Sequence, residues 1–338
     1  MNSHSKTTSY VSAPDKRASA KVSRETISAV AVAILCVVML LGSRFLSPSL
    51  GSWSQVETVL TLGSFLVVLS FGQGLVILSG GLDLSLPALI TLGGVLSTSL
   101  VGFGNPDALL LLPLVLVACG LVGACTAIGI IWLKVPPFIM SMATSIIVAS
   151  ATLGMTNGTP GGGAPELLTD LMKSRIAGVP ASIVLLLVFV ALAWVLQARS
   201  VFGRYVYAVG TNTQAARIAG VPVTLTQFLP YVVSAVCAGF VGMMLVGYSN
   251  GATLRMGDSY LLPSIAAVVI GGSSILGGRG TFLGTVGGAI LLTTLGTVIS
   301  AIGLNFGLRT IIEGSIILIA LLLLRDEFFE RLRALRKS

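Results

Sequence analysis

Long apolar stretches, each near the length of a membrane crossing, recur along this 338-residue chain and leave few folds open to it. A spanning helix needs about 20 mainly apolar residues. Only 9% of the residues are charged and 54% are hydrophobic, whereas a soluble domain carries about a quarter charged residues. The expectation is an all-α membrane protein with about ten transmembrane helices and Gly-rich breaks. The spans fall near 27–46, 56–78, 85–103, 109–133, 137–154, 180–197, 224–248, 261–277, 281–302 and 308–324. The 40 glycines are spread through these runs, which suits close helix packing in lipid.

Charge sets the orientation. Lys6, Lys16, Arg17, Lys21 and Arg24 crowd the first tail, and Arg325, Arg331, Arg333, Arg336 and Lys337 the last. With the N-terminus inside, fifteen of the twenty Lys and Arg fall on cytoplasmic segments, including Lys134, Arg199, Arg204, Arg217 and Arg279. An even number of spans with both termini cytoplasmic follows. The net charge of +8 therefore marks membrane orientation rather than nucleic-acid binding. Residues 1–26, rich in Ser, Thr and Lys, read as a disordered cytoplasmic tail; 27–324 form the membrane domain and 325–338 a basic cytoplasmic tail. The first apolar run lacks a cleavage signal and reads as an uncleaved span.

Two loops stand out. "TNGTPGGGAPELLTDLMKSRIAGVP", Thr156 to Pro180, is the longest outer loop; its "PELLTDLMKSR" suits a short amphipathic helix, and Glu166, Asp170, Lys173 and Arg175 give it both signs of charge. Such a surface fits a transient polar interface. The inner loop, 197–223, contains "TNTQAARIAGVP". Thr211 and Gln214 have capping-box spacing, Gly220 suits a left-handed helix end, and Pro222 blocks continuation. A helix this short persists only by docking, since isolated helices below about 12–15 residues are marginal. The step Ala215-Ala216 permits close approach to a partner.

Two glycine clusters interrupt the spans: "LSGGLDLSLPALITLGG" from Leu78 and "VVIGGSSILGGRGTFLGTVGG" from Val268. They fit a diverged internal repeat around a central path, and equally a chance echo between Gly-rich helices. Gly80, Gly81, Asp83, Ser85, Gly271 and Gly272 are the candidate path and gate residues. Asp83 reads either as the N-cap of the following span or as a gating group. Glu57 and Glu313 are the carboxylates inside the expected spans, and neither they nor Asp83 has a charged partner nearby in sequence.

Enzyme chemistry finds no support. The single histidine, His4, lies in the tail, the carboxylates are too scattered to form an acid–base pair, and no P-loop occurs. Cys36, Cys119, Cys125 and Cys237 fall in apolar runs without metal or disulfide spacing. No cofactor is expected in this chain.

Four ordered motifs carry a resemblance. "ILSGGLDLSLPALITLGGVL", "VPPFIMSMATSIIVASATLGMTNGTP", "GRYVYAVGTNTQAARIAGVPV" and "SIAAVVIGGSSILGGRGTFLGTVGGAIL" resemble the permease subunits of binding-protein-dependent ABC importers of the ribose/xylose/galactose type. The resemblance runs from about Gln55 to Leu324. It implies a bacterial inner-membrane, multi-pass permease for a sugar or sugar-like solute. The implied partners are a separate ATPase subunit that uses the ATP, a soluble substrate-binding protein outside, a second permease chain (the same or different) and membrane lipid. It assigns "QAARIAG" to a coupling helix near 211–220, with Thr211, Gln214, Ala215, Ala216, Arg217 and Gly220 as the ATPase-coupling residues. The chain departs from the family pattern at Gln214, where an acid is common, at Pro87, commonly Gly, and at Pro263, near a frequent acidic position. The alternative, an ion-coupled secondary carrier built on broken helices, needs an ion-coupling residue, and Asp83 is the one on offer.

Overall fold

The structure, a computed structural model, describes residues 51–304 without interruption, together with 34–39, 41, 42, 44 and scattered residues between 307 and 318. The two tails and most of the first and last expected spans lie outside the described residues.

Six helices are long and apolar enough to cross a membrane. They are α1 (Trp53–Leu78), α3 (Ala108–Ile131), α4 (Pro137–Met155), α6 (Ala181–Trp194, prolonged by a π turn, Val195–Arg199), α9 (Val223–Ser249) and α11 (Phe282–Ala301). Two shorter apolar helices are α2 (Leu86–Leu96, with a π turn at Ser97–Val101) and α10 (Leu261–Ile270). Three helices lie between spans: α5 (Glu166–Lys173), α7 (Val201–Thr211) and α8 (Thr213–Ile218). Eight of the ten expected spans fall in the described residues, and seven of them are helices within a few residues of the expected bounds. The exception is 261–277, whose helix stops at Ile270; residues 271–281 form a turn in which Gly272, Gly277, Gly278 and Gly280 all have positive φ.

Local sequence explains the ends. The Ser52 hydroxyl caps α1 by accepting from Gln55 N, and Thr281 caps α11 by accepting from Gly284 N. Proline opens α2 and α4, where its missing N–H is harmless. Buried hydroxyls that lipid cannot hydrate turn back onto their own helix: Ser64 donates to Thr61 O, Thr91 to Pro87 O, Thr152 to Val148 O and Thr294 to Ile290 O.

The centre of the bundle is α1, nearly all of it buried, packed on α9, α10, α11 and α6. Phe71 meets Phe282 and Phe189 edge to face, with ring centroids 4.9 and 5.7 Å apart, joining α1 to α11 and α6. Glycine brings α2 against α9. A Cβ on Gly242 would stand 2.1 Å from Ile90 O, and one on Gly93 2.5 Å from Gly239 O. Backbones can meet this closely because neither residue has a side chain. By contrast α3 and α4 present Leu109, Leu114, Leu121, Ile139, Ile146 and Ile147 outward, as helices facing hydrocarbon do.

The expected amphipathic helix in the outer loop is α5, held by buried Leu168 and Met172. A short hairpin follows it, pairing Arg175 with Pro180 and Ile176 with Val179 around Ala177 and Gly178, both at positive φ. Because α6 runs from this hairpin to α7, the α5 face and the α7–α8 face are opposite ends of the bundle.

Candidate solute path and coupling site

At the α7–α8 end, α7 is amphipathic and seats Gly203, Val206 and Val209 on the bundle. Sequence reasoning did not foresee this helix. It corrects one expectation directly: Thr211 is the last residue of α7, not the cap of α8, and its hydroxyl donates to Tyr207 O. The cap is Asn212, whose Oδ1 accepts from Ala215 N at 2.9 Å. The residue has an extended backbone there, as an N-cap must, whereas Thr211 is drawn into the preceding helix.

The other end of α8 matches expectation. Gly220 lies at φ 81°. Its N–H donates to Arg217 O, and Val221 N–H donates to Ala216 O. This double bond pattern closes a helix when the residue after the cap is left-handed. The two alanines divide. Ala216 is buried against Val209 and Val223, while Ala215 faces out. Ala216 therefore seats α8 on its own chain, and Gln214, Ala215, Arg217 and Ile218 are the exposed face. Ile218 is 88% exposed, a large apolar side chain in water. Its signal in the sequence was the lone Ile of a polar helix. Beside α8 an open apolar groove of about 480 Å3 runs between Tyr207, Thr211, Asn212, Ala215 and Ala219.

Three residues before α8, at Gly210, the two glycine clusters meet. Gly278 N–H donates to Leu78 O at 3.0 Å, so the turn after α10 is hydrogen-bonded to the end of α1. Gly210 lies between them: a Cβ there would stand 1.8 Å from Leu78 O and 2.7 Å from Gly278 N. Gly277 and Gly278 adopt φ of 89° and 71°, a region costly for residues with a side chain. Tyr207 donates to Gly280 O at 2.7 Å and accepts from Gln197 Nε2 at 2.7 Å. Gly80 and Gly81 open the first break, and Gly271 and Gly272 the second. Gly81 packs under Tyr231, and Gly271 under Gly284.

Residues 81–85 run non-helically between α1 and α2. Asp83 is buried there, its Oδ1 accepting from Ser85 N at 2.9 Å and Ser85 Oγ at 2.6 Å, its Oδ2 from Ser234 Oγ on α9 at 2.9 Å. The cap position of α2 is Ser85, which makes no side-chain cap bond. Asp83 therefore ties the break to α9 and to itself.

At the opposite end Glu166, Asp170 and Lys173 are exposed on α5. Arg175 is already engaged: it pairs with Glu57 of α1 at 2.5 Å and donates to Gly178 O, while Trp53 Nε1 donates to Glu57 Oε1. The partner of Glu57, which sequence could not locate, lies 118 positions away. Arg175→Glu is expected to loosen the hairpin by about 1 kcal/mol, a pair this exposed being partly screened. Faster limited proteolysis between residues 156 and 180 would show it, and the double swap with Glu57→Arg is expected to restore resistance. Failure of the swap would mean the pair does not hold the loop.

Residues 55–324 match the family described as branched-chain amino acid transport system / permease component. The chain is 34% identical over 297 residues to the probable ABC transporter permease protein y4mJ of Sinorhizobium fredii, covering 87% of this chain and 88% of that protein. It is 31% identical to the ribose import permease RbsC of Bacillus subtilis (87% and 90% covered). It is 30% identical to the autoinducer 2 import system permease LsrD of Yersinia enterocolitica (71% and 74%). No solved structure matches it. The ion-coupled carrier gives way to this relationship. With helices fit to span a membrane and matches over most of its length, the chain belongs to the branched-chain amino acid transport system / permease component family, and is a multi-pass membrane permease component of an ABC importer rather than an enzyme.

Proposed function

We propose that the chain forms the path for a sugar or sugar-like solute in the bacterial inner membrane, with about ten spans and both termini cytoplasmic. A second permease chain completes the path. A separate ATPase subunit, which uses the ATP, binds α8 through Gln214, Ala215, Arg217 and Ile218, and a soluble binding protein docks on the α5 face by way of Glu166, Asp170 and Lys173. No cofactor is needed in this chain. The observation that carries the reading is the seam where Leu78, Gly210 and Gly278 meet. Movement of α8 reaches both breaks through the two residues Thr211 and Asn212, so closure of the ATPases can change the path without a long relay.

The sugar class is favoured by the polar side chains buried in the bundle. Among the described residues the buried polar side chains are Ser, Thr and Gln, and the one buried Asp, Glu, Lys, Arg or His is Asp83, whose oxygens are occupied. Hydroxyls and amides suit a neutral polyol, whereas an amino acid would carry a carboxylate with no basic side chain to meet it.

Ile218→Asp tests the coupling. The side chain is exposed, so the fold is expected to survive, but a carboxylate at an apolar contact weakens it by about 1–2 kcal/mol. Ribose uptake in vesicles with the ATPase and binding protein is expected to fall about tenfold relative to ATP hydrolysis. Uptake equal to wild type would place the ATPase contact elsewhere.

A further inference from the structure

Almost every buried polar side chain described in this bundle has a partner, and the exceptions cluster on α1. Gln73 is completely buried, yet neither its amide oxygen nor its amide nitrogen has a hydrogen-bond partner, and Ser70 Oγ is likewise unpartnered. Ser70 and Gln73 are three residues apart and share one face of the helix. A buried Gln without partners weakens the fold compared with an apolar residue of the same size, so it needs another reason to be there.

Its neighbours say where it points. Gly72 lies against Ser234 of α9, where a Cβ would come within 2.7 Å of Ser234 Cα. Ser234 in turn donates to Asp83. Gly74 faces Val268 of α10, three residues before the second break begins. Successive residues on a helix turn by about 100°. Gln73 therefore projects between α9 and α10, at the level of Asp83, on the way from one break to the other. α10 runs into the glycine turn at the seam, and α9 holds the first break through Ser234 and Asp83, so movement of the breaks acts on both helices.

We propose that Gln73, with Ser70 one turn before it, is a solute-contacting site of the path, closed in this structure, that takes the hydroxyl groups of a neutral sugar when α9 and α10 separate. An amide offers one acceptor and two donors side by side, a match for adjacent hydroxyls that both give and accept. Among the described residues no buried charge competes, since Asp83 is occupied by Ser85 and Ser234. The site rests on the sugar reading above and deepens it.

The test uses the full chain with its ATPase and binding protein in vesicles. Gln73→Leu, which keeps the size and removes both polar atoms, is expected to lower ribose moved per ATP hydrolysed about tenfold while melting no lower than wild type. In parallel, Gln73→Cys is exposed to a water-soluble thiol reagent, with modification of residue 73 read from its peptide mass. Modification during ATP turnover, slowed by ribose, is the expected result. Unchanged ribose per ATP in Gln73→Leu overturns the proposal, as does a cysteine at 73 that never reacts. Should Gln73→Leu fail to fold, the cysteine result decides alone. The sugar reading fails separately: wild-type vesicles that take up leucine and not ribose refute it, and the hydroxyl assignment with it, whatever the reactivity of position 73.

Discussion

Gly210→Ala is expected to reduce uptake about a hundredfold and to lower the thermal stability of the purified permease. One methyl group is enough because of what surrounds it. The added carbon would lie 1.8 Å from Leu78 O and 2.7 Å from Gly278 N, both backbone atoms of other segments. A flexible side chain could turn aside; two backbones cannot. Either α7 lifts off or the Gly278 N–H to Leu78 O bond opens. Overpacking costs about 1–3 kcal/mol and a buried donor left without its acceptor about 1–3 kcal/mol more. A loss near 3 kcal/mol corresponds to about two orders of magnitude in the population of the competent arrangement. Gly154→Ala is the control, since nothing lies within 4 Å of a Cβ there. The assay is uptake and ATP hydrolysis in vesicles, with melting in detergent. If Gly210→Ala behaves like Gly154→Ala, the seam is not what joins α8 to the breaks.

Asp83→Leu is expected to be nearly as damaging, and Asp83→Asn mild. Leucine strands the Ser85 N–H and leaves the Ser85 and Ser234 hydroxyls to find other partners, in a site sealed from water. One buried unpaired donor costs about 1–3 kcal/mol. The hydroxyls recover part of their loss by turning back to helix carbonyls. The sum, about 2–4 kcal/mol, loosens the break from α9. Asparagine keeps an oxygen for Ser85, and the Ser234 hydroxyl can reverse to accept from the new amide. Asp83→Asn should therefore retain most ATP-driven uptake, and collapse of the proton gradient should leave that uptake intact. The measurement sets internal ATP and the gradient independently. Loss of uptake as complete in Asn as in Leu would give the negative charge itself a role in transport.

The comparison of these two sites shows how far the chain's order alone reaches. Seven span positions among the described residues were legible because lipid imposes a length and an apolar character on a helix that crosses it, whatever its neighbours. The same local logic placed α5, the left-handed Gly220 and the breaks at Gly80-Gly81 and Gly271-Gly272. It stumbled where two local signals compete: Thr211 and Asn212 can each cap a helix, and the unforeseen α7 captured the first, leaving the second.

What sequence could not supply is which segments face one another. The partner of Glu57 is Arg175, and the partner of Asp83 is Ser234, 151 positions on. Nothing in either local pattern names the other. Ala215 and Ala216 look alike in the sequence, but packing on Val209 and Val223 turns one inward and leaves the other on the surface. Gln73 looks like one more small break in an apolar run until its burial and its two unpartnered atoms are seen together. Sequence by itself determined where the long apolar helices of the described residues lie, because hydrophobic length and helix-end chemistry act within a few residues. Only the tertiary structure decided that the two breaks share one seam beside α8, because that contact depends on close backbone approach between segments more than 60 residues apart, and close approach leaves no mark beyond a glycine.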